Sequence, residues 1–261
     1  GSYEPQTPLR FSLAKSKGFS RRMTMPHIPD LVLYRAITDL AIRRLRKRER
    51  EHVYFERREL AKVAKVAVED AKRTDRRHSE PFCGRILEKV AEYATGGKQR
   101  YRAWLHYSQY RRHLIFKRIY PVIVTTDITN FFDSVLHDRL AESFHSVAMP
   151  PRVIGLLFFL LERLSIRDAY CDSPHVGLPV DEFDCSRRLA HVVLFDHDDR
   201  MVGAVGEDAY VRWMDDQNVG VKTRADGLKA LALIGESLAR LNLTPNAGKS
   251  RILTTAEARR H

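Results

Sequence analysis

Two adjacent aspartates, Asp215 and Asp216, lie between two apolar runs of the sequence. This pattern predicts a tight β-hairpin, with strands near residues 209–213 and 217–221 and Met214 to Asp216 at the turn. An Asp-Asp pair at a turn commonly favours only the turn and its solvation. Here the flanking strands are apolar enough to be buried, so the carboxylates would meet at the edge of a core. At about 4 Å and an effective dielectric of about 20 they would repel by roughly 4 kcal/mol, which a divalent cation would remove.

A third acid, Asp127, follows the β-branched run Val122 to Thr126, which predicts a buried strand. If this strand lies beside the hairpin in one sheet, Asp127 and Asp215 would jointly hold two Mg²⁺ ions, with Mn²⁺ as the alternative ion. These hard cations prefer oxygen ligands and keep positions open for substrate phosphates. The acids therefore indicate a metal-dependent reaction on a phosphate-bearing substrate.

The segments around the acids predict the elements that would position them. Helices are expected after the Asp127 strand, over Val153 to Leu164, from about Cys185 to His197 with Asp184 as its cap, and after the hairpin. A final strand is expected over Lys249 to Leu253. The chain order strand, helix, helix, hairpin, helix, strand is a variant of the ferredoxin-like βαββαβ plan.

The N-terminal half is basic and gives weaker indications. Leu9 to Pro26 is an irregular basic stretch, and residues of about 45–100 form a mostly helical region whose role is not readable. Between Tyr101 and Tyr120, aromatic and basic residues are interleaved, which suits stacking on bases and pairing with phosphates, and equally suits a half-buried hairpin. The candidates for nucleic-acid contact are Trp104, Arg111, Arg112 and, beside the paired acids, Trp213.

The composition favours a polyanionic partner. Across 261 residues, 45 Lys and Arg against 33 Asp and Glu give a formal net charge of +12 and a pI of about 9.8. No apolar stretch approaches the roughly 20 residues of a membrane span, so no membrane partner is expected. The 3 cysteines have no paired ligand spacing, which argues against a disulfide framework or a zinc site and favours the reducing cytoplasm.

Four motifs follow one another in the order and spacing of the reverse transcriptase palm. They are Asp127 to Ser134 (DITNFFDS), Gly177-Leu178-Pro179 followed by Ser186 to Ala190 (SRRLA), Trp213 to Asp216 (WMDD), and Leu241 to Ser250 (LNLTPNAGKS). On these motifs the chain resembles bacterial reverse transcriptases of the group II intron, retron and abortive-infection (phage-defence) kind. The match covers roughly residues 13–37 and 121–253.

The resemblance implies an α+β fold. It would be a right-hand polymerase with a ferredoxin-like (RRM-like) palm on an antiparallel sheet, a largely helical fingers subdomain, and a thumb that is absent or truncated. The implied divisions are fingers over residues 3–120, including the helical elaboration at about 45–100, palm over 121–147, a fingers-palm connection over 148–179, and palm again over 180–257.

The resemblance also implies a reaction, the attack of a primer hydroxyl on the α-phosphate of a deoxynucleoside triphosphate (dNTP). Asp127 and Asp215 would bridge both Mg²⁺ ions, Asp216 would bind one, and the backbone carbonyl of Ile128 would complete the shell. Lys249 matches a family lysine near the outgoing pyrophosphate, where a cation neutralises or protonates the leaving group. An ordinary exposed lysine after a loop is the alternative.

Other matched positions are expected to contact the nucleotide. Lys17, Arg21 and Arg22 match basic fingers residues that meet the incoming triphosphate, although a solvated loop would explain them equally well. Ser186 and Arg187 would lie near the nucleotide or the template.

Phe132, five residues after Asp127, matches the family position beneath the nucleotide sugar. A bulky ring there would collide with a 2′-hydroxyl, which predicts the use of dNTPs rather than ribonucleotides. The alternative is that Phe131 and Phe132 are both core aromatics.

The sequence departs from the family after Pro179. Where many relatives continue with Gln-Gly, this chain has Val180 and Asp181, followed by Glu182 and Asp184, and these acids should repel a template unless a metal, an arginine or a partner compensates their charge. Three hypotheses therefore stand. They are an RNA-directed DNA polymerase of a bacterial phage-defence or retroelement system, a template-independent or protein-primed DNA synthesiser, and a catalytically weak, polymerase-like nucleic-acid-binding scaffold. The expected partners are an RNA template or structured non-coding RNA, a DNA primer or product and dNTPs, with a second copy of the chain or an effector protein as further candidates.

Overall fold

The computed structural model describes residues 3–14, 20–50, 52–54, 111, 120–165, 175–181 and 184–260. Several sequence predictions concern residues outside these ranges. They are most of the helical elaboration at about 45–100, the nucleotide candidate Lys17, the nucleic-acid candidates Trp104 and Arg112, and the acid Glu182.

A five-stranded sheet carries the candidate acids. Its strands in chain order are β3 (Val53–Tyr54), β4 (Val122–Thr126), β5 (Tyr210–Trp213), β6 (Asp216–Val221) and β7 (Arg251–Thr254). They lie side by side in the order β3-β5-β6-β4-β7, and every pair is antiparallel except β3 with β5. The strand before Asp127 and the hairpin of β5 and β6 are confirmed, and their pairing brings the end of β4 beside the start of β6.

The helices among the described residues pack on this sheet and on one another. They are α1 (Ile28–Leu45), α2 (Phe131–Ser134), α3 (His137–His145), α4 (Pro151–Leu164), α5 (Cys185–Val193), α6 (Phe195–Val205), α7 (Arg224–Ala239) and α8 (Thr255–Arg260). Helix α7 packs on β4 and β6, and α1 packs on α5 and α4. Fully buried leucines and aromatics such as Phe144, Leu157 and Leu161 fill the core between them. In the described ranges, no helix combines the length and the apolar character needed to span a membrane.

The single helix expected from Cys185 to His197 is two helices. Helix α5 ends because the N–H of Leu194 bonds to the carbonyl of His191 at 3.1 Å, three residues back, and Leu194 takes φ −89° and ψ 0°. Helix α6 then begins at Phe195. Both helices bury apolar side chains, so the periodicity of the sequence continues through a break that local pattern does not reveal.

The basic N-terminal stretch is more regular than the sequence suggests. Residues Leu9–Ala14 (β1) and Ser20–Met25 (β2) form an antiparallel two-stranded ribbon. The N–H of Thr24 donates to the carbonyl of Val180 at 2.8 Å, which attaches the ribbon to the segment after Gly177-Leu178-Pro179. The ribbon therefore borders the region where the candidate motifs meet.

Candidate active site

Asp127 lies immediately after β4, buried, with its backbone fixed by the loop that follows α7. The carbonyl of Asp127 accepts the N–H of Asn246 at 2.8 Å, and the N–H of Thr129 donates to the carbonyl of Thr244 at 2.9 Å. These two bonds flank a bridge between Ile128 and Pro245. In an antiparallel pair of this kind the middle residue directs its own carbonyl away from its partner, so the Ile128 carbonyl is not used by the bridge.

The same loop delivers Lys249 to Asp127. The carbonyl of Asn246 accepts the N–H groups of Lys249 and Ser250 at 3.0 and 2.9 Å, which closes a compact turn. The Ser250 hydroxyl lies 2.7 Å from that of Thr126 and ties the turn to β4. The Lys249 ammonium then donates to Oδ2 of Asp127. This hydrogen bond, together with the negative charges of the three acids, raises the pKa of Lys249, so the side chain stays a cation at neutral pH.

The two remaining acids lie at the hairpin turn. Trp213 is paired with Asp216 across β5 and β6, and Met214 and Asp215 connect them. Withdrawal from water raises the pKa of Asp215, the charge of Asp127 adds to it, and Lys249 and Arg187 oppose it. Withdrawal from water, and then the charges of Asp215 and Asp127, raise the pKa of Asp216 to about 6. Because Asp216 keeps an exposed surface, solvent screening reduces that shift.

The charge of Asp127 thus acts on both hairpin acids, and the charge of Asp215 acts on Asp216. Arg187 is among the charges that lower the pKa of Asp215, and Arg111 is among those that lower the pKa of Asp216. These two arginines, which the sequence nominated for nucleotide and nucleic-acid contact, therefore stabilise the ionised form of the hairpin acids. The arrangement is a carboxylate cluster with cationic side chains around it.

One oxygen of the acids is suited to binding a metal ion. Oδ1 of Asp127 is buried and has no hydrogen-bond partner, and a buried charged oxygen left unpaired costs free energy. A divalent cation would satisfy that oxygen. In the part of the chain that the structure describes, no three acidic, histidine or cysteine side chains form a group that could hold an ion. A cation here would therefore complete its shell with water and substrate oxygens, as Mg²⁺ commonly does.

Phe132 lies on α2, half-buried, with its ring 5.7 Å from that of Phe131. Its carbonyl accepts the N–H of Leu178 at 2.8 Å. Gly177 has φ +90°, which favours glycine, and its N–H donates to the carbonyl of Val135 at 2.8 Å. Backbone hydrogen bonds thus join the segment Asp127 to Ser134 and the residue after it to Gly177-Leu178-Pro179.

The acids after Pro179 do not all face outward. The buried carboxylate of Asp181 accepts the N–H groups of Cys185 and Ser186 at 3.2 and 2.9 Å, so Asp181 caps α5. Asp184, which the sequence predicted as the cap, makes no side-chain cap bond and has φ 61°. Its carboxylate lies 3.5 Å from the guanidinium of Arg187. Repulsion of a template by these two acids is weaker than the sequence suggested, because protein groups compensate both.

Ser186 is turned into the core. It is 1% exposed, its hydroxyl lies 2.9 Å from that of Tyr34, and it donates to the carbonyl of Pro179. This hydroxyl holds α5 to α1 and is not presented to a nucleotide at the surface. Arg21 and Arg22 are exposed on β2, and Trp213 is half-buried against the core.

A buried polar cluster that the sequence did not predict lies beneath the hairpin. Arg212 and Asp198 form an ion pair with exposures of 0% and 1%, and Tyr210 and His191 contact it. A single arginine in a short apolar strand gives little indication of burial, since long charged side chains are usually exposed. The only available signal was that Arg212 interrupts a run expected to be buried.

Comparisons with known proteins identify the fold and not the family. No family model and no curated protein matches the chain. A solved structure of apo telomerase from Candida tropicalis, truncated from its C-terminal domain, is similar with a TM-score of 0.54 and 13% identity, over 97% of this chain and 51% of that one. Two structures of telomerase in complex with a TWJ fragment of telomeric RNA each give a TM-score of 0.47 and 11% identity. The match covers 96% of this chain and 41% of the C. tropicalis chain. For the C. albicans chain the two shares are 95% and 42%.

The chain thus spans about half the length of the telomerase chain it matches best among these three. At this identity the similarity shows a mixed α/β fold with antiparallel sheets like that of telomerase. The bacterial reverse transcriptase family, and the division into fingers, palm and thumb, stay predictions.

Proposed function

We propose that this chain is the fingers-palm part of an RNA-directed DNA polymerase, which adds dNTPs to a primer. The fold shared with telomerase supports a reverse-transcriptase-like nucleotidyltransferase in general terms. The observation that carries the proposal is the position of Asp127 at the end of β4, beside the hairpin turn of Asp215 and Asp216, with a buried Asp127 carboxylate oxygen left unpaired. Acids so placed are suited to binding cations that carry phosphate.

In this proposal Asp127 and Asp215 would hold two Mg²⁺ ions and Asp216 would add to one, with the Ile128 carbonyl, water and substrate oxygens as the remaining ligands. When bound, the ions would supply charge neutralisation and activation of the primer hydroxyl. Mn²⁺ has the same preference for oxygen ligands and would serve in its place. The unpaired Oδ1 of Asp127 is the oxygen that most needs such a partner.

The cations around the acids would bind the phosphates of the substrate. The charge of Arg187 lowers the pKa of Asp215 and that of Arg111 lowers the pKa of Asp216, and in this proposal both guanidinium groups would bind the phosphates of a triphosphate. Lys249 would neutralise the outgoing pyrophosphate, since it is held at Asp127 and stays protonated. The exposed arginines Arg21 and Arg22 on the ribbon would extend this basic surface toward the nucleotide.

Other residues of the same region would contact the sugar of the nucleotide and the bases of the template. Phe132 is positioned by its bond to Leu178 and would exclude a ribonucleotide 2′-hydroxyl. Trp213, beside the acids, would stack against bases. A net charge of +12 supports an RNA template or a structured RNA as partner, with a DNA primer or product. The motif resemblance is the support for proposing that such an enzyme works in a bacterial phage-defence or retroelement system.

The test is incorporation of labelled dNTPs by the purified chain with Mg²⁺ or Mn²⁺, with and without an RNA template and primer. We expect template-dependent incorporation that Asp127→Asn and Asp215→Asn each abolish. Asp138→Asn, at an exposed aspartate in the first turn of α3, is the matched control and should retain full activity. Absence of incorporation under every primer condition, or full activity in Asp215→Asn, would contradict the proposal.

One observation favours the second candidate, template-independent or protein-primed synthesis. Val180 occupies the position where many relatives carry a glutamine that contacts the incoming nucleotide, and Asp181, at the glycine position that follows, caps α5 with its side chain. The nucleotide site therefore lacks that contact. Incorporation that is equal without an RNA template would establish this candidate over templated copying.

Another observation favours the third candidate, a weakly active nucleic-acid-binding scaffold. The Lys249 ammonium already compensates Oδ2 of Asp127, where a catalytic cation would otherwise act. RNA binding by the chain together with no incorporation, and no Mn²⁺ binding at the acids, would establish the scaffold.

A further inference from the structure

The hairpin turn that carries Asp215 has an unusual backbone. Met214 has φ 53°, in the left-handed region that favours glycine and that a bulky side chain enters only at a cost. Backbone strain of this kind persists where surrounding contacts determine the conformation. The Met214 side chain is 3% exposed, so packing is one such contact.

The second contact comes from Arg212. Its Nη1 donates to the carbonyl of Met214 at 2.8 Å. That carbonyl belongs to the same planar peptide unit as the N–H of Asp215. A hydrogen bond that fixes this carbonyl therefore fixes the direction in which the chain enters Asp215.

The guanidinium of Arg212 is itself fixed by hydrogen bonds to a second buried side chain. Its Nε and Nη2 donate to the two carboxylate oxygens of Asp198 on α6 at 2.7 and 2.5 Å, and the Tyr210 hydroxyl donates to Oδ1 of Asp198 at 2.9 Å. Nδ1 of His191 lies 3.3 Å from Nη2. Burial, and then the charge of Arg212, lower the pKa of His191 well below its ordinary value, so this ring is neutral and adds no charge.

A buried ion pair is poorly explained by stability alone. Removing two charges from water costs free energy that their attraction only partly offsets, and apolar side chains of similar volume often stabilise such a position equally well. An apolar pair could not donate to the Met214 carbonyl. The pair therefore adds something that packing would not supply, a rigid connection from α6 to the turn.

We propose that Arg212 is a positioning residue that holds the turn so that Asp215 faces Asp127 in a cation-binding arrangement. Asp198 orients the guanidinium, and the guanidinium orients the peptide before Asp215. Arg212 touches neither substrate nor metal in this scheme. Its effect on nucleotide incorporation rests on the proposed function, whereas its effect on the turn does not.

Arg212→Lys is the most informative variant. It keeps the charge beside Asp198, but a single ammonium lacks the planar fork that reaches the carboxylate and the Met214 carbonyl together. We expect the turn peptide containing Met214 to Asp216 to exchange its amide hydrogens at least tenfold faster, as measured by mass spectrometry. We also expect the dissociation constant for Mn²⁺, followed by electron paramagnetic resonance, to rise at least fivefold. The kcat for dNTP incorporation should fall at least tenfold with KM changed less than twofold.

Arg188→Lys is the matched control, because Arg188 is another buried arginine paired with an aspartate, Asp39 of α1, and neither belongs to the hairpin. It should leave all three measurements within twofold of wild type. If Arg212→Lys does not fold, the double variant Arg212→Met with Asp198→Leu replaces the pair with apolar side chains and should show the same faster exchange.

The outcomes separate the two proposals. Unchanged exchange at the turn in Arg212→Lys, or equal changes in Arg188→Lys, would overturn the positioning role. Faster exchange at the turn in a protein whose wild type incorporates no dNTP would support the positioning role while the polymerase proposal fails.

Discussion

Asp216→Asn should make the protein more stable at neutral pH, although it removes a residue proposed to bind metal. Withdrawal from water and the charges of Asp215 and Asp127 raise the pKa of Asp216 from 3.8 to about 6. At about 1.4 kcal/mol per pKa unit, the full shift corresponds to roughly 3 kcal/mol of destabilisation by the ionised carboxylate. Because Asp216 is exposed and screened by solvent, we reduce this to about 1 kcal/mol.

The sign of this effect gives it a characteristic pH dependence. A carboxyl whose pKa is higher in the folded than in the unfolded protein destabilises the fold fully above about pH 6, where it is ionised in both states. The penalty fades as pH falls toward 3.8, the unfolded value. The gain from Asp216→Asn should therefore be present at pH 7.5 and absent at pH 4.

Urea denaturation at the two pH values measures this gain directly, and a thermal scan at pH 7.5 should show a midpoint about 2–4 °C higher for the variant. Mn²⁺ should stabilise the wild type more than Asp216→Asn, since the cation relieves the same repulsion. A variant that is less stable than wild type at pH 7.5, or a gain that persists unchanged at pH 4, would refute the electrostatic reasoning.

Three further predictions concern single side chains. Lys249→Met should lower kcat for dNTP incorporation by about 100-fold in single-turnover assays, the size expected for a lost acid or cation at a leaving group. The control is Lys229→Met, at an exposed lysine on α7. Equal activity of the two variants would remove Lys249 from the mechanism. Phe132→Ala should allow ribonucleotide incorporation in competition assays while dNTP use is kept, and unchanged discrimination would leave Phe132 as a core aromatic. Asp181→Ala should lower the free energy of unfolding by about 1 kcal/mol through loss of the α5 cap, with Asp138→Ala unchanged, and equal urea midpoints would show that the cap adds no stability.

The strand before Asp127 and the hairpin were predictable because both contain short runs rich in apolar or β-branched side chains, most of which are buried. Burial of such runs outweighs other local preferences, so pattern and structure agree. The β1–β2 ribbon was not predictable in the same way. Its strands are mostly exposed and carry Arg10, Arg21 and Arg22, so hydrophobic alternation is weak and pairing depends on contacts such as that of Thr24 with Val180.

The charged residues were the hardest to place from sequence. Asp181 and Arg212 each looked exposed by type, yet one caps a helix and the other is fully buried. Their positions depend on partners distant in sequence, or on a helix cap that local pattern assigned to Asp184 instead. The expected placement of the Asp127 strand beside the hairpin in one sheet agrees with the pairing of β4 and β6, whereas the function of Asp127, Asp215 and Asp216 as metal ligands stays a prediction.

The contact between Lys249 and Asp127 does not by itself exclude a metal at the acids. Lys249 binds Oδ2, and it is Oδ1 that is buried and unpaired, so one carboxylate can hold an ammonium and a cation on different oxygens. Without substrate, the three acids lie among the cations Lys249, Arg187 and Arg111, which compensate their charge in part. A triphosphate would draw those cations toward its own oxygens and leave the acids uncompensated. Cations that arrive with the triphosphate would restore the balance, which is why we expect Mn²⁺ to bind more tightly when a dNTP is present.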